Sequence, residues 1–138
     1  PPGELGAYWR PLRHRSAQRP GWSWHERGVL SADELRELHR GIDVLAVPST
    51  WPEWLGLVTL EAQGLGTPVI LSDLPSQRDL ASGDGRSSWF VPPGDAAALA
   101  RTLVDVWEAK RDGRLEAPQP RCPSPAEYAR ELLEVYRG

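Results

Sequence analysis

Glu53 and Glu61 have seven residues between them and flank Gly56, in the segment Pro-Ser-Thr-Trp-Pro-Glu-Trp-Leu-Gly-Leu-Val-Thr-Leu-Glu-Ala-Gln-Gly at 48–64. If a helix begins near Gly56, the backbone N–H groups of Gly56, Leu57 and Val58 are left unpaired at the positive end of its dipole. Such an end receives anions, phosphate above all. A glycine there lets a ligand oxygen come close to the backbone. Glu61 then lies about 7.5 Å along the axis, its side chain leaning back toward the helix start. A carboxylate at that distance accepts hydrogen bonds from vicinal hydroxyls, as a ribose presents them. Glu53, in the loop ahead, reaches whatever is attached beyond the phosphate, and Trp51 and Trp54 could wall a sugar. The dipole alone also favours glutamates near a helix start, and tryptophans flanking a loop often only pack. On the charge pattern by itself, the plain structural reading stays open.

Elements on both sides position these residues. Val44-Leu45-Ala46-Val47 and Pro68-Val69-Ile70-Leu71 are apolar runs typical of strands buried on both faces. With a helix over 56–65 between them they make a βαβ unit, whose ligands gather beyond the carboxyl ends of the strands. Ahead of this unit, Ser31-Ala32-Asp33-Glu34 predicts a capping box, opening a helix through His39 with Leu35 and Leu38 inward and Gly41 as its C′ stop. Trp22-Ser23-Trp24-His25 alternates like a short strand after a Pro20-Gly21 turn. Residues 4–18 read as a helix broken by Gly6 and Pro11.

Beyond the unit, Pro75–Leu80 predicts a short helix and Ser88–Val91 a strand. Pro92-Pro93-Gly94-Asp95 predicts a turn and N-cap, followed by a helix to about Lys110 with Leu99, Leu103, Val106 and Trp107 at core spacing. Residues 112–125 read as a linker. Residues 125–137 read as a crossover helix with Tyr128, Leu132, Val135 and Tyr136 on one side. The order β-α-β-α-β-α-β-α makes the fold class α/β, a Rossmann-like parallel sheet with helices on both faces.

Composition excludes several alternatives. At 138 residues the chain suits one domain, 1–138. The net charge is −3 and the basic residues are scattered, Lys110 being the only lysine, so no nucleic-acid footprint appears. Cys122 is alone and cannot form an internal disulfide. His14, His25 and His39 lack metal-ligand spacing. No apolar run reaches the roughly 20 residues of a membrane span, and no leader pattern is present, so a cytoplasmic setting is expected. No Gly-x-Gly-x-x-Gly follows a first strand, which argues against a dehydrogenase half.

Segment 43–72 resembles the C-terminal domain of family 4 retaining glycosyltransferases of the GT-B fold, whose signature is two glutamates spaced like Glu53 and Glu61. Gly28-Val29-Leu30-Ser31 with Glu34-Leu35 looks like the family's strand-end glycine and following helix. Phe90-Val91-Pro92-Pro93-Gly94-Asp95 with Ala98-Leu99-Ala100 looks like its late strand-turn-helix, and Tyr128–Tyr136 like its terminal helix. The resemblance covers residues 22–137. It implies that Glu53 contacts the donor sugar near the reacting carbon and is the catalytic residue, and that Glu61 binds the ribose. It further implies that Trp54, Leu55, Gly56, Leu57 and Val58 line the donor site, the amides of 56–58 holding the diphosphate. Arg27, Gly28 and Val29 are implied near the base.

A nucleotide-diphosphate sugar is the implied donor, with no metal and no other cofactor. Leu55 departs from the aromatic residue usual before the glycine, and Gln63 and Gly64 stand where small or apolar residues are common. The family's Arg and Lys pair on the diphosphate and its N-terminal acceptor domain have no counterpart in these residues. The sheet is therefore expected to be incomplete at its N-terminal side, the cleft to be completed by that domain or a partner chain, and the chain alone to be inactive in transfer. Any membrane contact would be peripheral, through that domain. The alternative is a non-catalytic GT-B-like interaction or regulatory module that oligomerises.

Overall fold

A computed structural model describes residues 2–52, 56–81 and 83–118, residues 2–9 by their backbone alone. The chain divides into two compact units, Pro1–Ala32 and Asp33–Gly138.

In the second unit three apolar runs become parallel strands: β1 (Leu45–Val47), β2 (Val69–Ser72) and β3 (Ser88–Val91), in the order β1-β2-β3. Leu45 lies opposite Val69 and Val47 opposite Leu71, while Ile70 faces Trp89 and Ser72 faces Val91. Alternation along β2 sends Val69 and Leu71 to one face and Ile70 to the other, and all four of its residues are buried. The first face packs on Ala62 of α3 (Leu57–Gly64), with Ala81, Leu45, Val47 and Phe90. The second packs on Val106 of α5 (Ala96–Arg111), with Val91, Trp89, Leu99 and Leu115. Helices thus cover both faces, as the continuous apolar runs require. Full burial of Ile70 or Leu71 stabilises the fold by about 1.5–3 kcal/mol each.

The remaining elements anchor these layers. α2 (Ala32–Gly41) carries one wholly inward residue, His39. The Thr67 hydroxyl donates to the His39 carbonyl at 3.2 Å and meets the ring Nδ1 at 3.2 Å, so the hydroxyl proton is committed and Nδ1 is the donor toward it. Gly41 is the last helical residue and has no left-handed φ, unlike the expected C′ stop. The short α4 (Pro75–Arg78) hangs from the end of β2 through Leu74, whose carbonyl accepts from Gln77 and Arg78 N–H at 3.0 Å. β3 is entered through Asp84, whose carboxylate accepts from the N–H groups of Arg86, Ser87 and Ser88 and from the Ser87 hydroxyl. Asp95 caps α5, accepting from Ala98 N–H at 2.8 Å, as Pro92-Pro93-Gly94-Asp95 predicts.

Three further expectations need correction here. The inward stripe of α5 is Ala98, Leu99, Thr102, Val106 and Ala109; Leu103 and Trp107 point outward. Residues 22–25 in the first unit form no strand. Trp22 and Trp24 are both exposed, and the Trp22 N–H turns back to the Arg19 carbonyl at 3.2 Å. Alternation makes a strand only where a neighbouring strand runs alongside, and among the described residues the sheet consists of β1, β2 and β3 without 22–25. The first unit is otherwise α1 (Pro2–Ala17), which runs unbroken through Gly6 and Pro11 although Pro11 supplies no N–H to the turn before it. The terminal helix expected at 125–137 lies outside the described residues.

Candidate functional site

The carboxyl ends of the three strands lead into the segments that start at Pro48, Asp73 and Pro92. The first runs toward α3, and its last described residue before the helix is Gly56. This glycine is the N-cap of α3, with φ 49° and ψ 40°, and no side chain caps the helix. Its carbonyl accepts from Thr59 N–H at 2.9 Å and Leu60 N–H at 3.2 Å. The N–H groups of Leu57 and Val58 precede any carbonyl of α3 that could accept them. Both side chains are exposed, while Gly56 itself is buried.

Glycine is required here for two reasons. The left-handed backbone disfavours any residue with a Cβ. A Cβ at Gly56 would also stand 2.4 Å from Leu80 Cδ1, with the Gln77 carboxamide at 3.7–3.8 Å. The sequence assigns Gly56 to close ligand approach; the structure adds that the inner side of the same residue is filled by Leu80 and Gln77.

Glu61 is exposed on α3, four residues after Leu57 and therefore on the same helix face, one turn along. Thr59, Ala62 and Gln63 point inward instead. A carboxylate on the outer face, one turn from a helix start, can accept hydroxyls of a molecule whose anionic part sits on that start. Glu53, Trp54 and Leu55 lie outside the described residues. Trp51, just ahead of them, is exposed. Arg27, Gly28 and Val29 belong to the first unit. They form an irregular exposed segment with Gly28 at φ 65°. Among the described residues, no group of three or more His, Cys, Asp or Glu side chains could hold a metal ion, and no helix is long and apolar enough to cross a membrane.

Sequence reasoning passed over the groups behind α3. Gln77 is wholly buried, and its Oε1 accepts from the Thr59 hydroxyl over a long 3.5 Å. Gln77 Nε2 has no partner among the described residues. Next to it Arg78 forms a two-pronged ion pair with Asp73, at 2.5 and 2.7 Å, and lies over the Phe90 ring at 5.5 Å. Hydrogen bonding to Asp73, then its charge, raises the already high Arg78 pKa. A glutamine inside a four-residue helix has no periodicity to betray burial, and only the tertiary contacts reveal it.

On the α5 side of the strand ends a small cavity of about 130 Å³ is lined by Pro48, Ser72, Val91, Pro92, Asp95 and Leu99, among others. The buried Ser72 hydroxyl has no partner among the described residues. A wider groove of about 520 Å³ runs between β3 and α5, past Phe90, Arg101 and Val104. Neither is lined by Gly56, Leu57, Val58 or Glu61.

Known proteins share this arrangement of sequence. The chain is 45% identical over 65 residues to a phosphatidyl-myo-inositol mannosyltransferase of Mycobacterium leprae, covering 47% of this chain and 17% of that protein. It is 35% identical over 100 residues to a D-inositol 3-phosphate glycosyltransferase of Streptomyces avermitilis, covering 70% and 21%. A protein of that same description from Paenarthrobacter aurescens is 36% identical over 115 residues, covering 80% and 28%. The chain therefore spans between about a sixth and somewhat over a quarter of the length of these relatives. The sequence profile of the family described as Glycosyl transferases group 1 matches residues 6–109, a stretch that contains the βαβ unit, the Gly56 helix start and β3. Sheet, crossovers and profile agree, and the chain belongs to the group 1 glycosyl transferases, as part of a GT-B-type α/β domain.

Proposed function

We propose that this chain is the donor-binding part of a retaining glycosyltransferase, taking a nucleotide-diphosphate sugar and passing the sugar to an acceptor. The observation that carries the reading is the left-handed Gly56 at the start of α3, with the Leu57 and Val58 N–H groups ahead of any α3 carbonyl that could accept them and Glu61 exposed one turn along. In this reading the diphosphate rests on the amides of 56–58, where helix dipole and N–H groups favour negative charge. Glu61 accepts the ribose hydroxyls, and Glu53 attends the sugar. As the bond to the sugar breaks, charge grows on the departing diphosphate. Donors already aimed at that position stabilise it without reorganising. The sugar would keep its anomeric configuration, and no metal is needed at the donor. The whole enzyme would complete its cleft with an acceptor domain or a partner chain.

Titration with UDP, GDP and ADP tests this. One nucleoside diphosphate should bind, and Glu61→Ala should weaken it by about tenfold to a hundredfold, the range for losing hydrogen bonds to a charged acceptor. The 2′-deoxy form of the same nucleotide should bind more weakly to the unaltered chain and respond much less to Glu61→Ala. Binding indifferent to Glu61, or none with any of the three, would overturn the reading. The outward Leu103, Val104 and Trp107 on α5 favour a second reading, an interaction module, which predicts a tight oligomer with no nucleotide affinity.

A further inference from the structure

We propose that Gln77 is a positioning residue for the diphosphate, setting the first turn of α3 from behind through Thr59 and Gly56. The proposal rests on the reading of that turn as the diphosphate cradle. Its physical basis is a short chain of contacts. α4 has four residues, too few to hold a helix alone. Its place is fixed by Leu74 and the end of β2, since Leu74 N–H bonds Ser72 O at 2.8 Å and Gln77 N–H bonds Leu74 O at 3.0 Å. Gln77 therefore extends from the sheet itself. Its carboxamide reaches within 3.8 Å of the Cβ position of Gly56 and takes the Thr59 hydroxyl on Oε1. Thr59 is joined twice, by its hydroxyl to Gln77 and by its N–H to the Gly56 carbonyl at 2.9 Å. Leu57 and Val58 lie in the turn that the Thr59 N–H closes onto Gly56, and Gln77 backs both ends of that turn, so their N–H directions follow from where it holds Thr59.

Packing alone does not account for a glutamine here. Gln77 is 0% exposed, and Nε2 has no acceptor among the described residues. An unpaired buried amide is unfavourable, and an apolar side chain of equal length would fill the space without that penalty. What the glutamine adds is a polar hold on Thr59.

The test uses the full chain with Gln77→Met, Thr59→Val and the double variant. Amide hydrogen exchange in the free protein reads the positioning directly. Gln77→Met should speed exchange at Thr59 and Leu60, whose N–H groups bond the Gly56 carbonyl, by about tenfold while Val69–Leu71 stay unchanged. In titrations with the nucleoside diphosphate that binds, Gln77→Met should lose about tenfold in affinity, with the matching nucleoside unaffected. The double variant should lose no more than Gln77→Met alone, because both changes cut one link. Additive losses, equal weakening of nucleoside and diphosphate, or unchanged exchange at Thr59 and Leu60 would overturn the proposal. If Gln77→Met does not fold, Thr59→Val must by itself speed exchange at Leu60, which bonds the same Gly56 carbonyl, or the link is absent. A wild-type chain that binds no nucleoside diphosphate would sink the cradle reading, while the exchange measurements still decide the role of Gln77.

Discussion

Gly56 combines two demands that usually fall on different residues. Its backbone must turn left-handed to start α3, and its inner side must leave room for Leu80. Gly56→Ala meets both penalties. The left-handed conformation costs about 1–2 kcal/mol for a residue with a Cβ, and forcing a carbon to 2.4 Å from Leu80 Cδ1 adds about 1–3 kcal/mol of overpacking. Urea denaturation should show a loss of about 2–5 kcal/mol. Adding Leu80→Ala should return the steric share and leave the backbone share, so the two substitutions should couple favourably. A Gly56→Ala chain as stable as the original would mean that Leu80 moves aside freely and α3 can start with another backbone. Of this site, the sequence makes the glycine legible, because few other residues suit a helix start that meets a ligand. The filled space behind it is not legible, since Leu80 and Gln77 are twenty or more residues away and meet Gly56 only after β2 has paired.

At the level of elements, strands were easier to read than helix phases. β2 and β3 are short apolar runs closed by turn residues, and burial on both faces tolerates no other composition. α5 shows how a helix can be right in extent and wrong in rotation. Leu99, Leu103, Val106 and Trp107 are its bulkiest apolar residues and fit one stripe. Yet the sheet is met by a stripe built largely from small residues, Ala98, Thr102, Val106 and Ala109. The helix lies close to β3 because those residues are small, which turns Trp107 outward, where Arg111 covers its ring at 5.2 Å. Residues 22–25 fail for the complementary reason: four alternating residues carry a pattern, and a strand also needs a partner. The rotation of α5 has a sharp consequence. Val106→Ala, at 2% exposure, should cost about 2 kcal/mol from lost burial and the cavity left behind. Trp107→Ala, at 60% exposure, should cost under about 1 kcal/mol despite removing many more atoms. Thermal unfolding of the two variants side by side would show the ranking. The reverse order would place Trp107 in a core formed with some other surface.

For the molecule as a whole, the relevant fact is where its apolar core is assembled. Both hydrophobic clusters draw their residues from 44–115, and the sheet and both covering helices lie in the unit that begins at Asp33. Among the described residues, neither cluster includes one from 10–31. A domain of this size buries a modest share of its surface and is correspondingly marginal, so a contribution from outside the clusters would be visible. Deleting residues 1–31 should therefore leave the amides of Val69, Ile70 and Leu71 protected from hydrogen exchange to within about threefold, a change below 1 kcal/mol by the exchange relation. It should also leave a single cooperative urea transition, with a slope reduced only in proportion to the surface removed. A fall in β2 protection of a hundredfold would mean that residues 1–31 complete the core. The donor site would then need that unit for its stability, and the Gly56 helix start could not be studied apart from it. Protection retained in the shortened chain would place the machinery proposed for the diphosphate, from Gly56 through Thr59 to Gln77, in a unit that holds its own fold.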